Sequence, residues 1–404
     1  MRATPELNLF DQVLAPLGRK AFLADYWSQS FLRQPGQPGR FNAVFSWDDL
    51  NAILGERRLE PPRLRLVREG ETVDPQKYLD IEGPHPRLKA GSLVNLFSQG
   101  ATLILDSVEE LAPGVRKLAD SFQEVLSDTT LVYLIAGWRT QKGLEVHWDI
   151  EDNFILQIAG RKHWQVYRPT REHPLKNDLE NPSKPSGPPF WEGMLEDGDM
   201  MYLPRGWWHV AIPIDEPCLH LAVTVMPPTG ADLLAWFRSR LQRHADVRKN
   251  LPSLAGAEEQ RAQIARMRAL MLKDWDDGLL EEFLASWKSA RRPRPRIHLP
   301  LAPLECAQPI TAQTRIRLAA DRRLSPLASA DGGLFFYANG VRWNCPAELA
   351  PTLGQLSDTA AVSVSQLCAT LADDSAHAGL MTFLTALAMG GAVYLEGPAG
   401  DVDS

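Results

Sequence analysis

The tightest constraint on this chain is a pair of donors two positions apart, His147-Trp148-Asp149. It is answered 62 positions after the first histidine by His209, the end of Gly198-Asp199-Met200-Met201-Tyr202-Leu203-Pro204-Arg205-Gly206-Trp207-Trp208-His209. Residues i and i+2 of a strand point to the same face, so His147 and Asp149 can share the lumen of a β-barrel. The third donor follows a turn signal, Glu196-Asp197-Gly198-Asp199, then a short apolar strand over 200–203 and a Pro-Arg-Gly break. Two neutral imidazoles and one carboxylate on one face of an octahedral ion leave three positions open. That suits Fe(II), which must also hold a cosubstrate and O2. A structural zinc site would close its shell instead. A lone His-x-Asp is more often an ordinary core or surface histidine, so the surrounding sequence decides the reading.

Downstream lie two apolar stretches, Asn153 to Ile158 and Lys162 to Tyr167, joined by Ala159-Gly160-Arg161. They are expected to pair directly across that turn. Lys162 shares its alternation face with Trp164 and Val166, and an inward lysine is costly unless an anion meets it. The distal carboxylate of 2-oxoglutarate is such an anion. A one-residue slip would send Lys162 to solvent and Arg161 inward; the expectation is Lys162 inward.

The stretch from Leu131-Val132-Tyr133-Leu134 through His147-Trp148-Asp149-Ile150-Glu151-Asp152 to Gln157-Ile158-Ala159-Gly160-Arg161-Lys162-His163-Trp164 resembles the JmjC core of the ribosomal oxygenases. So do Leu195-Glu196-Asp197-Gly198-Asp199, Tyr202-Leu203-Pro204-Arg205-Gly206-Trp207-Trp208-His209 and the following Leu219-His220-Leu221-Ala222-Val223-Thr224. These are Fe(II)- and 2-oxoglutarate-dependent protein hydroxylases. The resemblance implies His147, Asp149 and His209 as metal ligands and Lys162 as the basic residue for the 2-oxoglutarate carboxylate. Tyr133 and Asn153 are expected to contact cosubstrate or substrate. Of Trp148, Trp164, Trp207 and Trp208, all are expected to be packing residues except Trp208, which is expected to touch substrate. One departure stands out: Trp138-Arg139-Thr140-Gln141-Lys142-Gly143-Leu144-Glu145 replaces the small residues usual before the first ligand.

Resemblance continues weakly to both ends, in Phe22-Leu23-Ala24-Asp25-Tyr26-Trp27 with Phe31-Leu32, and in Phe336-Tyr337-Ala338-Asn339-Gly340 and Gly390 to Gly397. The implied fold is α+β: a double-stranded β-helix (cupin/JmjC jelly roll), a helical dimerisation segment, and a small winged-helix-like C-terminal domain. Residues before 228 read as short apolar strands between Pro/Gly turns. Met226-Pro227-Pro228-Thr229-Gly230 then breaks the chain, with Thr229 placed to cap a helix. Leu233, Leu234, Phe237 and Leu241, then Ile264, Met267, Leu270 and Met271, then Leu279, Leu280, Phe283 and Trp287 recur at helical spacing. The expected divisions are 1–228 catalytic, 229–300 helical dimerisation segment and linker, and 301–404 C-terminal domain. The proline-rich run Pro293-Arg294-Pro295-Arg296 marks the second boundary.

Four cysteines (Cys218, Cys306, Cys345, Cys368) show no Cys-x-x-Cys spacing, so neither a zinc knuckle nor a disulfide framework is expected. The N-terminus lacks an apolar signal core and no apolar run is long enough to span a bilayer; a cytoplasmic, soluble protein is expected. A net charge of −7 favours encounter with basic partners. Arg291 to Arg296 read as a solvated linker. DNA binding is not expected, because Gln355 to Leu371, the most helix-like C-terminal stretch, has no Lys or Arg.

Function is thus expected to be hydroxylation of an arginyl or histidyl residue of a ribosomal protein, with Fe(II), 2-oxoglutarate and O2, in a homodimer. The residues do not choose between arginyl and histidyl. Two alternatives stay open: a JmjC oxygenase for another peptide or small molecule, which the unusual 138–145 loop favours, and a non-catalytic cupin binding module. Lysine demethylation is a further possibility within the fold, although the domain layout resembles the hydroxylases.

Overall fold

The structure, a computed structural model, describes residues 8–81, 85–126, 128–139, 144–179, 183–290, 310–319, 324–329, 332–357, 360–371 and 373–396. Contacts divide the chain into two units, Met1–Pro227 and Pro228–Ser404.

The first unit contains strands β1 (Leu32–Gln34), β2 (Leu64–Arg68), β3 (Glu71–Thr72), β4 (Leu79–Asp80), β5 (Arg87–Leu88), β6 (Thr102–Leu105) and β7 (Thr130–Gly137). They are followed by β8 (Asp152–Ala159), β9 (Lys162–Tyr167), β10 (Trp191–Leu195), β11 (Met200–Leu203), β12 (Trp208–Pro213) and β13 (Cys218–Val225). A large sheet runs β1-β11-β8-β13-β7-β6-β2-β3 and a small one β10-β9-β12, while β4 and β5 form a separate ribbon. β13 is buried at every position. A strand covered on both faces must read as a nearly continuous apolar run, and Cys218-Leu219-His220-Leu221-Ala222-Val223-Thr224-Val225 does so with two polar interruptions.

The two faces of the large sheet have different covers. Val132, Leu134 and Ala136 of β7, with Leu219, Leu221 and Val223 of β13, join a core with Phe10, Phe22 and Phe122. Those three phenylalanines come from helices Leu9–Leu14, Arg19–Asp25 and Pro113–Leu126. On the opposite face Tyr133, Ile135, Ile155 and Ala222 meet Trp164 and Val166 of the small sheet. This is the JmjC/cupin jelly roll, and the space between its sheets holds the candidate site.

Two expectations for this unit are corrected. Residues before 228 are not only strands, because five α-helices lie among the described ones, including Trp47–Glu56 and Ala90–Ser98. In Pro113–Leu126 the buried Val115, Leu118, Ala119 and Phe122 recur at i, i+3, i+4 and i+7, a helical face that strand-like punctuation around it obscures. Secondly, β8 and β9 do not pair with each other. β8 lies between β11 and β13, and β9 between β10 and β12. The turn between them carries the chain from one sheet to the facing one. Gly160 makes that corner with φ +66°, and a Cβ there would sit 2.0 Å from the Pro217 carbonyl oxygen.

The second unit opens with helices Gly230–Leu241, Ala245–Arg248, Ala257–Asp274 and Leu279–Ala290. Thr229 caps the first, its hydroxyl accepting from the Asp232 N–H while Asp232 accepts from the Thr229 N–H. Strands β14 (Arg315–Leu318), β15 (Leu327–Ala328), β16 (Leu334–Ala338), β17 (Val341–Cys345), β18 (Val362–Ser363) and β19 (Val393–Glu396) form two three-stranded sheets, β18-β14-β19 and β15-β16-β17. Ile316, Leu318, Phe336, Leu380, Leu384 and Leu387 share their core. The β16–β17 hairpin rests on helix Leu279–Ala290, where the Tyr337 hydroxyl donates to Glu282 at 3.0 Å and the Gly340 N–H to Ser289 Oγ at 3.2 Å.

Among the described residues of Gln355 to Leu371 only Val364–Cys368 is α-helical; the long C-terminal helix is Asp374–Met389, also without Lys or Arg. Its Ala, Gly and Thr residues dilute the apolar spacing that would have marked it. Arg291 to Arg296, Pro300, Cys306, Gly397, Asp401 and Asp403 lie outside the described residues. Cys218, Cys345 and Cys368 are free thiols. Among the described residues, no helix is long and apolar enough to cross a membrane.

Candidate metal centre

Period-two alternation builds the site. Odd-numbered His147, Asp149, Glu151, Asn153 and Ile155 all line a cavity of about 320 Å³ between the sheets. Tyr133 and Ile135 of β7 and Thr102 and Ile104 of β6 line it too, as do His220, Ala222 and Thr224 of β13. Lys162 and Trp164 of β9, with His209 and Ala211 of β12, form the facing wall. His147 and Asp149 precede β8 rather than lying in a strand. His147 makes one isolated bridge with His209, its N–H donating to the His209 carbonyl at 3.1 Å and its carbonyl accepting from the His209 N–H at 2.7 Å. The Gly206 N–H donates to the Asp149 carbonyl at 3.0 Å and the Arg205 N–H to Asp152 Oδ1 at 2.8 Å. These bonds tie the segment around His147 and Asp149 to the segment before His209.

The side chains converge. The metal-capable atoms of His147, Asp149 and His209 all lie within 4.8 Å of one another. His209 Nε2 is 3.4 Å from Asp149 Oδ2, and His147 Nε2 is 3.8 Å from Oδ1. Each histidine Nδ1 faces a backbone carbonyl, that of Glu145 at 2.7 Å for His147 and that of Trp207 at 3.1 Å for His209. A carbonyl only accepts, so both Nδ1 atoms carry the proton and both Nε2 lone pairs face inward. Burial, then neighbouring His147, push the His209 pKa down to about 4, which keeps that ring neutral. Asn153 Nδ2 donates to Asp149 Oδ2 at 2.7 Å and orients the carboxylate. Two lone pairs and a carboxylate aimed at one another lack a donor between them. A divalent cation satisfies all three, and two imidazoles with one carboxylate suit a first-row metal that keeps open positions.

Lys162 is 2% exposed and reaches His220 Nδ1 at 3.2 Å. Among the described residues no carboxylate lies within ion-pair distance of it. Burial lowers its pKa, and burial followed by the Lys162 charge holds His220 well below the ordinary histidine range. Neutral His220 therefore accepts from the lysine. Arg161 instead points out and pairs with Glu216. Tyr133 and Asn153 both reach the cavity. Trp208 does not, correcting the expectation that it touches substrate. Its neighbour His209 points in, so alternation turns Trp208 away, with Nε1 donating to Thr170 Oγ1 at 3.0 Å. Trp164 is the cavity tryptophan, while Trp148 and Trp207 are buried. Trp138 stacks on Phe97 with centroids 4.8 Å apart, and Thr140 to Gly143 lie outside the described residues.

Sequence reasoning missed His220, Glu151 and Arg65. A histidine inside an otherwise apolar strand was the available signal for the first. Glu151 continues the odd-numbered series from His147, but only the shared face makes that visible. Arg65 reaches the cavity from β2, and its ion pair with Asp106 at 3.0 Å could not be read from sequence.

Comparisons with known proteins agree with this architecture. The JmjC domain family matches residues 111–233. The bifunctional lysine-specific demethylase and histidyl-hydroxylase NO66 of Aedes aegypti is 24% identical over 257 residues, 60% of this chain and 39% of that protein. Ribosomal oxygenase 1 of Rattus norvegicus is 27% identical over 287 residues, 66% of this chain and 46% of that protein. The chain therefore spans less than half the length of these relatives. Among solved structures, the Escherichia coli ribosomal oxygenase YcfD in complex with cobalt and 2-oxoglutarate aligns with a TM-score of 0.54 at 19% identity. That alignment covers 94% of this chain and 98% of that one, and it supports the fold. The chain thus carries a JmjC domain over residues 111–233, and it is similar over about two thirds of its length to ribosomal oxygenases.

Proposed function

We propose that the protein is an Fe(II)- and 2-oxoglutarate-dependent protein hydroxylase acting on a basic protein substrate, a ribosomal protein in particular. The observation that carries this is the pair of Nδ1-anchored histidines whose free Nε2 atoms converge with Asp149 beside a buried lysine that has no carboxylate partner among the described residues. A non-catalytic module would have no need to hold both a metal-ready donor set and an uncompensated buried cation in one cavity.

In this reading His147, Asp149 and His209 hold the iron and Lys162 pairs with the distal carboxylate of 2-oxoglutarate. When bound, that pair supplies O2-driven hydroxylation of an unactivated C–H bond, with succinate and CO2 as coproducts. The chain's own share is placement. Backbone carbonyls of Glu145 and Trp207 hold the two imidazoles in the binding tautomer, and Asn153 holds the Asp149 carboxylate. His220 accepts from Lys162 and so fixes the ammonium against the cavity floor. Ile135, Ile155, Trp164 and Ala222 keep the walls apolar and exclude water. Tyr133 and Asn153 stand where cosubstrate or substrate would be met.

We further propose that 1–228 is the catalytic part, 229–300 a dimerisation segment and 301–404 a winged-helix-like module without DNA-binding function, in a cytoplasmic homodimer. Leu234, Ile264, Met271, Leu272, Trp275 and Leu280 of the helical segment are exposed, an apolar surface that a second copy would cover.

Cobalt titration with calorimetry, followed by 2-oxoglutarate titration, tests the site. His209→Ala should abolish cobalt binding in a folded protein, and Lys162→Met should keep cobalt while losing 2-oxoglutarate. Mass spectrometry of ribosomes with and without the active protein, looking for one added oxygen, tests the substrate. Tight cobalt binding by His209→Ala would refute the ligand assignment.

A further inference from the structure

Glu151 is half-buried, lines the cavity two positions beyond Asp149, and has no cation within ion-pair distance among the described residues. Arg65, which also lines the cavity, is occupied, since it pairs with Asp106 at 3.0 Å. Tyr133, on the same wall, lies within the electrostatic reach of Arg65, Asp106, Asp149 and Glu151, which places these groups around one part of the cavity.

Resting on the function proposed above, the charge of the loaded site can be summed. A divalent metal offsets Asp149 and leaves one positive charge; Lys162 adds a second; the two carboxylates of 2-oxoglutarate cancel both. Arg65 and Asp106 cancel each other. Among the described residues, what remains is the single negative charge of Glu151, in a partly desolvated cavity where an unpaired ion is costly.

We propose that Glu151 is the specificity-determining residue, and that it selects a substrate side chain carrying a permanent positive charge. A guanidinium fits best: it is weakly hydrated, always ionised, and its planar fork matches a carboxylate in two parallel hydrogen bonds. Lysine ammonium is the weaker match because it is more strongly hydrated. A neutral imidazole offers no charge to Glu151. The geometry therefore favours arginyl over lysyl, and both over histidyl.

The full chain loaded with cobalt and 2-oxoglutarate under anaerobic conditions provides the test, with the blocked amides of arginine, citrulline, lysine and histidine as probes in NMR titrations. Citrulline keeps the shape of arginine and removes the charge. Wild-type protein should bind the arginine probe at least about tenfold more tightly than the citrulline probe, equivalent to about 1.4 kcal/mol. Glu151→Gln should bring that ratio close to one, Glu151→Asp should keep a preference for arginine, and Glu151→Arg should invert it in favour of the citrulline probe. A ratio near one in the wild type, or an undiminished ratio in Glu151→Gln, overturns the proposal. Cobalt and 2-oxoglutarate binding are read in the same samples. Their failure removes the oxygenase reading and this inference together, whereas normal loading without charge discrimination removes only this inference.

Discussion

Asp152 should control both the stability of the jelly roll and its hold on metal. Its carboxylate is 2% exposed and accepts three hydrogen bonds: from the Tyr202 hydroxyl at 2.5 Å, from Ser28 Oγ at 3.1 Å and from the Arg205 N–H at 2.8 Å. Burial raises its pKa even though these bonds favour the ion, so the site is electrostatically expensive and is held by geometry. Asp152→Ala leaves the Arg205 N–H and the buried Tyr202 hydroxyl short of an acceptor, while Tyr202 keeps the bond it receives from the Ser28 N–H. At about 1–3 kcal/mol for each buried group left unsatisfied, the loss comes to about 2–6 kcal/mol. For a unit of 227 residues that lowers Tm by about 4–24 °C at roughly 2–4 °C per kcal/mol. Asp152→Asn keeps one acceptor and can donate to the Tyr202 oxygen, so it should cost about 1–2 kcal/mol. The Arg205 bond also anchors the turn four residues before His209. The alanine variant should therefore bind cobalt at least about tenfold more weakly at a temperature where it is still folded, in line with the loss of outer-shell support in other metal sites. Differential scanning fluorimetry and calorimetric titration measure the two effects. An alanine variant with wild-type Tm refutes the stability argument. One with lowered Tm and unchanged cobalt affinity refutes the claim that this brace positions the ligand.

Two further outcomes follow from the fold. Gly160→Ala places a side chain at φ +66° with its Cβ 2.0 Å from the Pro217 carbonyl oxygen, so it should destabilise the first unit by about 2–4 kcal/mol in urea unfolding; a change below about 0.5 kcal/mol, the range of neutral surface substitutions, would mean the corner relaxes freely. Tyr337 has its pKa pushed up to about 12 by burial and by the Glu282 charge it donates to. A folded-state value above the usual 10 means that its contribution is fully present below pH 10 and is lost as pH rises toward 12. The stability difference between wild type and Tyr337→Phe should thus be constant through neutral pH and shrink between pH 10 and 12, and a difference that is flat across that window would contradict the assignment.

What the sequence disclosed depended on whether a feature was local. The Met200–Leu203 strand, the helices at Gly230–Leu241, Ala257–Asp274 and Leu279–Ala290, and the Thr229 cap could be read because apolar spacing and capping chemistry act over a few neighbouring residues. The partition of strands between sheets could not. Nothing near Ala159-Gly160-Arg161 says that the chain changes sheet there, because the reason lies in β11, β13, β10 and β12, which occupy the edges that a hairpin would need. The early helices were lost among Pro and Gly signals for a similar reason: short helices laid on a sheet take most of their stability from that packing rather than from propensity.

The same distinction separates the parts of the site. Lys162 was placed correctly because alternation along one strand decides it, and Trp208 was misplaced because proximity to a ligand was weighed above that same alternation. His147 and Asp149 share a face without lying in a strand, since their orientation comes from the bridge to His209 and the Gly206 bond to the Asp149 carbonyl. The acceptor for Lys162, however, lies 58 positions away on β13. An inward lysine implies an anion, and that much is written locally. A neutral histidine that holds the ammonium without cancelling its charge appears only once β9 and β13 face one another. In the proposed function, it is this arrangement that would leave the positive charge of Lys162 available to a ligand instead of to the protein.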